Sequence, residues 1–267
     1  MGGAAFGDIL TQVQSGGSPW AVQLPSGWGQ GRATFGGLVV ALGLEAARGL
    51  VAPERRLRSM LASFAGPVAP GAAEVQASVL RAGRAVTQVQ AEVRQEGKAA
   101  CAILAAFGAG RASALSVAPE PRPDDPGPEG LMELPFIPGV IPDFFQHMSA
   151  RWTVGGPPFS ATRSPDMGGW CRFLPPAPAG SEAWLAGLMD LWPAPVLPYL
   201  SAPAPASSLT WSMELVEDVS DQPMDAWWLY RARVEGAAEG YAQFRANLWA
   251  PNGRLAAVSR QTVAVFA

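Results

Sequence analysis

The sequence holds one histidine, two cysteines and, among 19 basic residues, a single lysine, Lys98. Each scarcity removes a class of chemistry. Serine-triad hydrolysis needs a histidine base, and the lone His147 sits in FFQHMS without a partner motif, so it is read as a core or rim residue. Cys101 and Cys171 lie far apart with no CxxC and no Cys/His cluster, which argues against structural zinc and suits a reducing compartment. A net charge of -3 leaves no basic stripe of the kind nucleic acid binding requires. No run approaches the ~18 apolar residues of a membrane span, and the start MGGAAFGDIL lacks a basic region followed by an apolar core. GxSxG, P-loop, GxGxxG and HExxH motifs are all missing. The expectation is a soluble cytoplasmic protein that uses no cofactor or metal and has neither nucleic acid nor membrane as a partner.

What is present is apolar. The chain has 267 residues, 49% of them hydrophobic, enough for a large core. Phe35 to Leu50, FGGLVVALGLEAARGL, is apolar on every side of a helical wheel, with only Glu45 and Arg48 charged. Such a helix has no face that gains from water and is expected at the centre of the fold. Gly36 and Gly37 fall in its first turn, where backbone N–H groups lack intrahelical partners and a ligand oxygen could approach. They could equally just let a strand pass nearby.

Residues 1–34 read as a short apolar start followed by SGGSPW and GWGQGR, a loop-rich approach to this helix. Four strand-like runs come after the helix: Leu57 to Phe64, Ala73 to Leu80, Ala85 to Arg94 and Ala99 to Phe107. RAGR and QEGK join the last three as glycine turns of antiparallel hairpins. Val117 to Pro142 carries eight of the 26 prolines and can continue neither helix nor central strand. Beyond it come strands from Phe145 to Val154 and Gly169 to Leu174, then a helix, SEAWLAGLMDLW, capped at Ser181. Ser208 to Val216, Ala226 to Val234, and a hairpin of Tyr241 to Trp249 with Leu255 to Phe266 complete the chain. The expected division is residues 1–116, a crossover at 117–143, and residues 144–267.

The two halves look like one unit used twice, each a helix followed by a meander. Aligning Val86 to Phe107 with Tyr241 to Phe266 pairs Gln88 with Gln243, Ala91 with Ala246, and Gly97-Lys98 with Gly253-Arg254. Alternation in the last strand puts Leu255, Ala257, Ser259, Gln261, Val263 and Val265 on one face. Gln261 is the amide there, and its counterpart in the first half is Ala105. A buried glutamine either satisfies the core or holds a water. Asp190, the lone acid in WLAGLMDLW, is either a base or an acceptor for backbone N–H groups.

FGGLVV, RSMLASFAGPVAPG, LRAGRAV and the Gly-Lys hairpin resemble the N-terminal half of acyl-coenzyme A thioesterases of the thioesterase II type. LAGLMDLWPAP, SSLTWSMEL, AWWLYRARV and GRLAAVSRQTVAVF resemble their C-terminal half. The resemblance implies an α+β double hotdog, two tandem antiparallel sheets each wrapped around an apolar helix. It also implies hydrolysis of acyl-CoA by a water held by an aspartate, a serine or threonine, and a glutamine. By motif the glutamine is Gln261, the aspartate position falls on Thr210, and the hydroxyl position falls near Glu235. Thr210 would then orient the water, with Glu235 or Asp190 supplying charge, and Gly36 and Gly37 would donate to the oxyanion. Acyl-CoA is the expected partner, and exposed sheet edges favour a homo-oligomer. The rival readings are a non-catalytic acyl-CoA binding protein on the same fold and a hotdog dehydratase. The last calls for a histidine on the site helix, which neither helix has.

Overall fold

A computed structural model describes residues 4–267. The first half contains α1 (Phe6–Leu10), β1 (Trp20–Leu24), a small ribbon of β2 (Gly29–Gln30) and β3 (Ala33–Thr34), and α2 (Gly36–Arg48). Then come β4 (Arg56–Phe64), β5 (Gly71–Ala82), β6 (Val86–Gln95) and β7 (Lys98–Gly108). The second half contains β8 (Met148–Val154), β9 (Asp166–Phe173), α3 (Glu182–Met189), β10 (Ala206–Leu215), β11 (Trp228–Ala238), β12 (Tyr241–Trp249) and β13 (Leu255–Val265).

Eleven strands form one antiparallel sheet in the order β1-β5-β6-β7-β4-β10-β13-β12-β11-β9-β8. The halves meet where β4 pairs with β10, Leu61 opposite Ser212. Sheet order on either side of that seam runs alike, so β4, β7, β6 and β5 correspond to β10, β13, β12 and β11. The duplication extends to irregularities. A register shift between Leu57 and Ser59 in β4 matches one between Ser208 and Thr210 in β10.

Local chemistry explains the elements. Every residue of α2 from Gly37 to Ala47 except Glu45 is buried, as an all-round apolar helix requires. Ser181 caps α3 by accepting the Trp184 N–H. At the β6–β7 turn Glu96 and Gly97 both take positive φ, 51° and 75°, the geometry that lets a two-residue turn follow strand twist. The inner sheet face and the two helices share one core.

Three expectations need correction. Residues 5–13 and 20–24 hold α1, a 3-10 turn and β1, where only a loop-rich approach was expected. The WAVQL pattern of β1 alternates buried and exposed and pairs with β5, but five residues are too short to stand out beside the surrounding glycines. Asp143–His147 is a 3-10 turn, so the strand expected from Phe145 begins only at Met148. Leu255 leaves the face of Gln261: a register shift at Leu248/Trp249 turns it into an outer cluster with Trp170, Leu229 and Trp249.

That outer cluster lies under the proline-rich crossover. Trp170 Nε1 donates to Pro126 O at 2.7 Å, Trp249 Nε1 donates to Glu120 O at 3.1 Å, and Arg231 pairs with Asp125. Lacking continuous N–H donors, the segment is held by side chains from the sheet. Among the described residues no helix is long and apolar enough to cross a membrane.

Candidate active site

The helices α2 and α3 pack against each other in opposite senses, so the start of α2 meets the end of α3. At that junction Asp190 caps α3. Its carboxylate accepts from Gln261 Nε2 at 3.2 Å and from the Gly37 backbone N–H. Gln261 Oε1 in turn accepts from Ser208 Oγ at 3.2 Å. One network therefore joins α2, α3, β10 and β13, and it fixes the amide orientation of Gln261: oxygen to Ser208, nitrogen to Asp190.

Glycine makes the junction possible. A Cβ at Gly36 would stand 2.9 Å from Asp190 Oδ2, and one at Gly37 would stand 2.6 Å from the Phe35 ring and 3.1 Å from Asp190 Cβ. The Gly37 N–H is engaged with Asp190. Gly36 holds the first helical position, where no intrahelical acceptor exists for its N–H.

Burial dominates the electrostatics. It raises the Asp190 carboxyl from the usual carboxylate range to about 7, against the opposing pull of the hydrogen bonds from Gln261 and Gly37. Asp190 nonetheless keeps partial solvent contact, as does Ser208, while Gln261 is only 7% exposed. The site thus opens at one side and closes toward the core. The closed side is aromatic: Trp211 and Phe244 are the cross-strand neighbours of Gln261, and Trp192 stacks on Tyr230 at 5.8 Å. The Tyr230 hydroxyl is pushed far up by burial and by the charge of Asp190, so it stays protonated.

Of the residues singled out from sequence, Gln261, Asp190, Gly36 and Gly37 come together; Thr210 and Glu235 do not. Thr210 is exposed, facing away from the core beside the buried Trp211. Glu235 sits at a β-bulge in β11 and pairs with Arg260, whose side chain projects opposite to that of Gln261. Both lie on the outer side of the sheet. The carboxylate at the glutamine is Asp190, and the hydroxyl is Ser208, which the sequence reading did not select. Strict alternation from Trp211 would turn Ser208 outward; the register shift between Ser208 and Thr210 turns it in. His147 has a structural place, stacked on Trp28 at 4.2 Å with Nε2 3.1 Å from Gly27 O.

The first half lacks this chemistry at corresponding positions. Gln261 pairs with Phe244 and Trp211, and Ala105 pairs with Val89 and Met60 in the same ladder places. Counting from those pairs, Ser208 corresponds to Leu57. Asp190 at the end of α3 corresponds to Arg48 at the end of α2, which faces Glu182 at the start of α3 at 3.7 Å.

Two antiparallel half-sheets joined edge to edge, each curled around its own helix with a polar cluster at the helix junction, define a double hotdog protein. The chain belongs to the acyl-CoA thioesterase family. The profile of the acyl-CoA thioesterase N-terminal domain matches residues 24–108, and that of the acyl-CoA thioesterase C-terminal domain matches residues 118–265. Its fold is similar to that of a conserved hot dog protein of unknown function from Alicyclobacillus acidocaldarius (TM-score 0.84, 24% identity, 97% of this chain and 98% of that one). It is also similar to a candidate thioesterase II from Thermobifida fusca YX (TM-score 0.82, 22% identity, covering 98% and 97%). A third is the acyl-CoA thioesterase II TesB2 from Mycobacterium marinum (TM-score 0.76, 17% identity, covering 97% and 98%). No curated protein sequence matches the chain significantly.

Proposed function

We propose that the protein hydrolyses acyl-CoA thioesters by direct attack of water, with Asp190 as general base and Ser208 and Gln261 holding the nucleophile. The observation that carries this reading is the network Ser208–Gln261–Asp190 at a partly accessible helix junction. Its donors and acceptors complement a water. Asp190 and Ser208 Oγ have lone pairs to accept the two water hydrogens. The second N–H of Gln261 Nε2 can donate to one water lone pair, leaving the other directed at the thioester carbonyl.

As the water oxygen bonds to the carbonyl carbon, its proton passes to Asp190 and charge develops on the carbonyl oxygen. The Gly36 N–H at the positive end of α2 is the donor we assign to that oxyanion. Collapse breaks the C–S bond, and the departing thiolate takes the proton from Asp190, giving free acid and coenzyme A. A thioester is activated enough that no covalent nucleophile is required. A carboxyl raised to about 7 suits both halves of the proton transfer near neutral pH.

The deciding experiment is thiol release from acyl-CoA esters of increasing chain length, comparing wild type with Asp190→Asn and Gln261→Ala. Turnover that collapses in both folded variants is the expected result. Affinity for acyl-CoA without turnover on any ester would instead establish the non-catalytic binding protein.

A further inference from the structure

A cavity of about 380 Å³ lies at the opposite ends of the two helices from Asp190, where the end of α2, the start of β4, the end of β10 and the start of α3 converge. By the internal duplication this is the counterpart of the candidate active site. The positions of Asp190, Ser208 and Gln261 are taken there by Arg48, Leu57 and Ala105. Glu182, Glu217 and Asp218 line the cavity, but no amide stands beside them as Gln261 stands beside Asp190. Its volume is that of a small-molecule pocket.

Its lining is amphiphilic. Leu57, Leu185, Leu215 and Val219 supply apolar surface, and charged groups stand around them. Most of those charges are already committed. Arg48 donates to the carbonyls of Val51, Ala52 and Arg55. Glu182 accepts the Leu57 N–H at 3.0 Å, and Asp218 accepts from Ser220 and pairs with Arg56 at 2.7 Å. Arg58 is different. It donates Nε to Gly108 O at 2.9 Å, and its two terminal nitrogens form no hydrogen bond or ion pair among the described residues. Burial and the neighbouring Arg56 disfavour its charge, and the pull of Asp218 offsets them only in part, which leaves a cost that a bound anion would relieve.

We propose that this cavity is a second binding site, for an amphiphilic monocarboxylate such as a short- or medium-chain fatty acid. The carboxylate meets the two free Nη groups of Arg58 side by side, and the alkyl chain lies against the four apolar side chains. A planar guanidinium edge matches a carboxylate in this way. Glu217 also lines the cavity, and its repulsion favours a single negative charge over a dianionic phosphate.

The test is calorimetric titration of the full chain with sodium octanoate and, separately, with inorganic phosphate. Gln261→Ala, Arg58→Gln and Ser220→Trp variants are compared, the last plugging the cavity from the exposed rim. The expected result is saturable octanoate binding that survives Gln261→Ala and weakens at least tenfold in both other variants. Thiol release by Arg58→Gln should stay at the wild-type rate. Circular dichroism confirms that each variant is folded, and Ser220→Trp carries the test if Arg58→Gln is not. Octanoate binding that ignores both cavity variants, or no binding at all, overturns the proposal. Phosphate binding that displaces octanoate with the same dependence on Arg58 overturns the assignment to a carboxylate.

Discussion

The two ends of the helix pair have the same backbone and opposite chemistry. At one end the sheet and helices present a carboxylate, a hydroxyl and an amide; at the other, the same places present Arg48, Leu57 and Ala105. The matched register shifts in β4 and β10 show that the bulge itself is common to both halves. What differs is the residue it turns inward, Leu57 in one copy and Ser208 in the other. A duplicated scaffold thus offers two sockets, and side chains alone decide that one carries the Ser208–Gln261–Asp190 network and the other does not. The largest effect is therefore expected from removing the carboxylate of Asp190, which the other end replaces with Arg48.

Asp190→Asn should lower kcat by roughly 10³-fold, the middle of the range for loss of a positioned general base, as read by thiol release. The same substitution should stabilise the fold at pH 8. The sign follows from the raised carboxyl: between pH 4 and about 7 the folded state holds a proton that the unfolded chain has released, so stability falls as pH rises through that window. Above it the buried anion costs on the order of a few kcal/mol, a cost that asparagine does not carry. Thermal melts at pH 5 and pH 8 should show a gain for Asp190→Asn at pH 8 that shrinks at pH 5. Equal melting shifts at both pH values would contradict a raised carboxyl.

Gln261→Ala should cost about 10²-fold in kcat/KM, the size expected for a lost positioning donor. It should also move the pH profile. Gln261 donates to the ionised carboxylate, so its removal raises the Asp190 pKa further. The rising limb, near pH 7 in the wild type, should shift to higher pH. An unmoved limb would detach the profile from Asp190.

Much of this was legible in the sequence because the physical signals are periodic. The apolar wheel of α2, the alternation of the strands, the hairpin glycines and the repeat all give local patterns that packing then obeys. Gln261 stood out as a polar side chain on an apolar face, and Asp190 as a lone acid in an apolar helix. Ser208 did not, because its inward direction depends on a β-bulge that alternation does not reveal. Thr210 and Glu235 came from the motif resemblance alone; alternation from the inward Trp211 turns Thr210 outward, and Glu235 falls on the bulge of β11. That Asp190 meets Gln261 across 71 positions depends on helix packing, which no local pattern encodes.

The comparison can also be pressed from the unequipped end. Ala105→Gln would place an amide where Gln261 has its counterpart, but with Leu57 and Arg48 in place of Ser208 and Asp190. Ala105 is 3% exposed and lies between Met60 and Val89. The new amide would be overpacked and left without the network that satisfies Gln261. Destabilisation of about 2 kcal/mol is expected with no change in kcat, measured by denaturant unfolding and thiol release. A neutral substitution would mean that this end can satisfy an amide as well as the other does.

The smallest effect should come from Ser208→Ala. The hydroxyl does not carry the proton; it orients the Gln261 amide and accepts one hydrogen of the proposed water. Loss of one neutral hydrogen bond is worth about 1 kcal/mol, so kcat should fall roughly tenfold or less with KM little changed. Ser208→Thr keeps the hydroxyl on the bulge and should restore most of the rate. Because Ser208 acts through Gln261 and not on the charge of Asp190, the pH at which activity rises should stay near the wild-type value in both variants. A shift as large as that in Gln261→Ala would place Ser208 in direct control of the carboxyl. Rescue by threonine with an unmoved pH profile is the result that separates an orienting hydroxyl from a merely structural one.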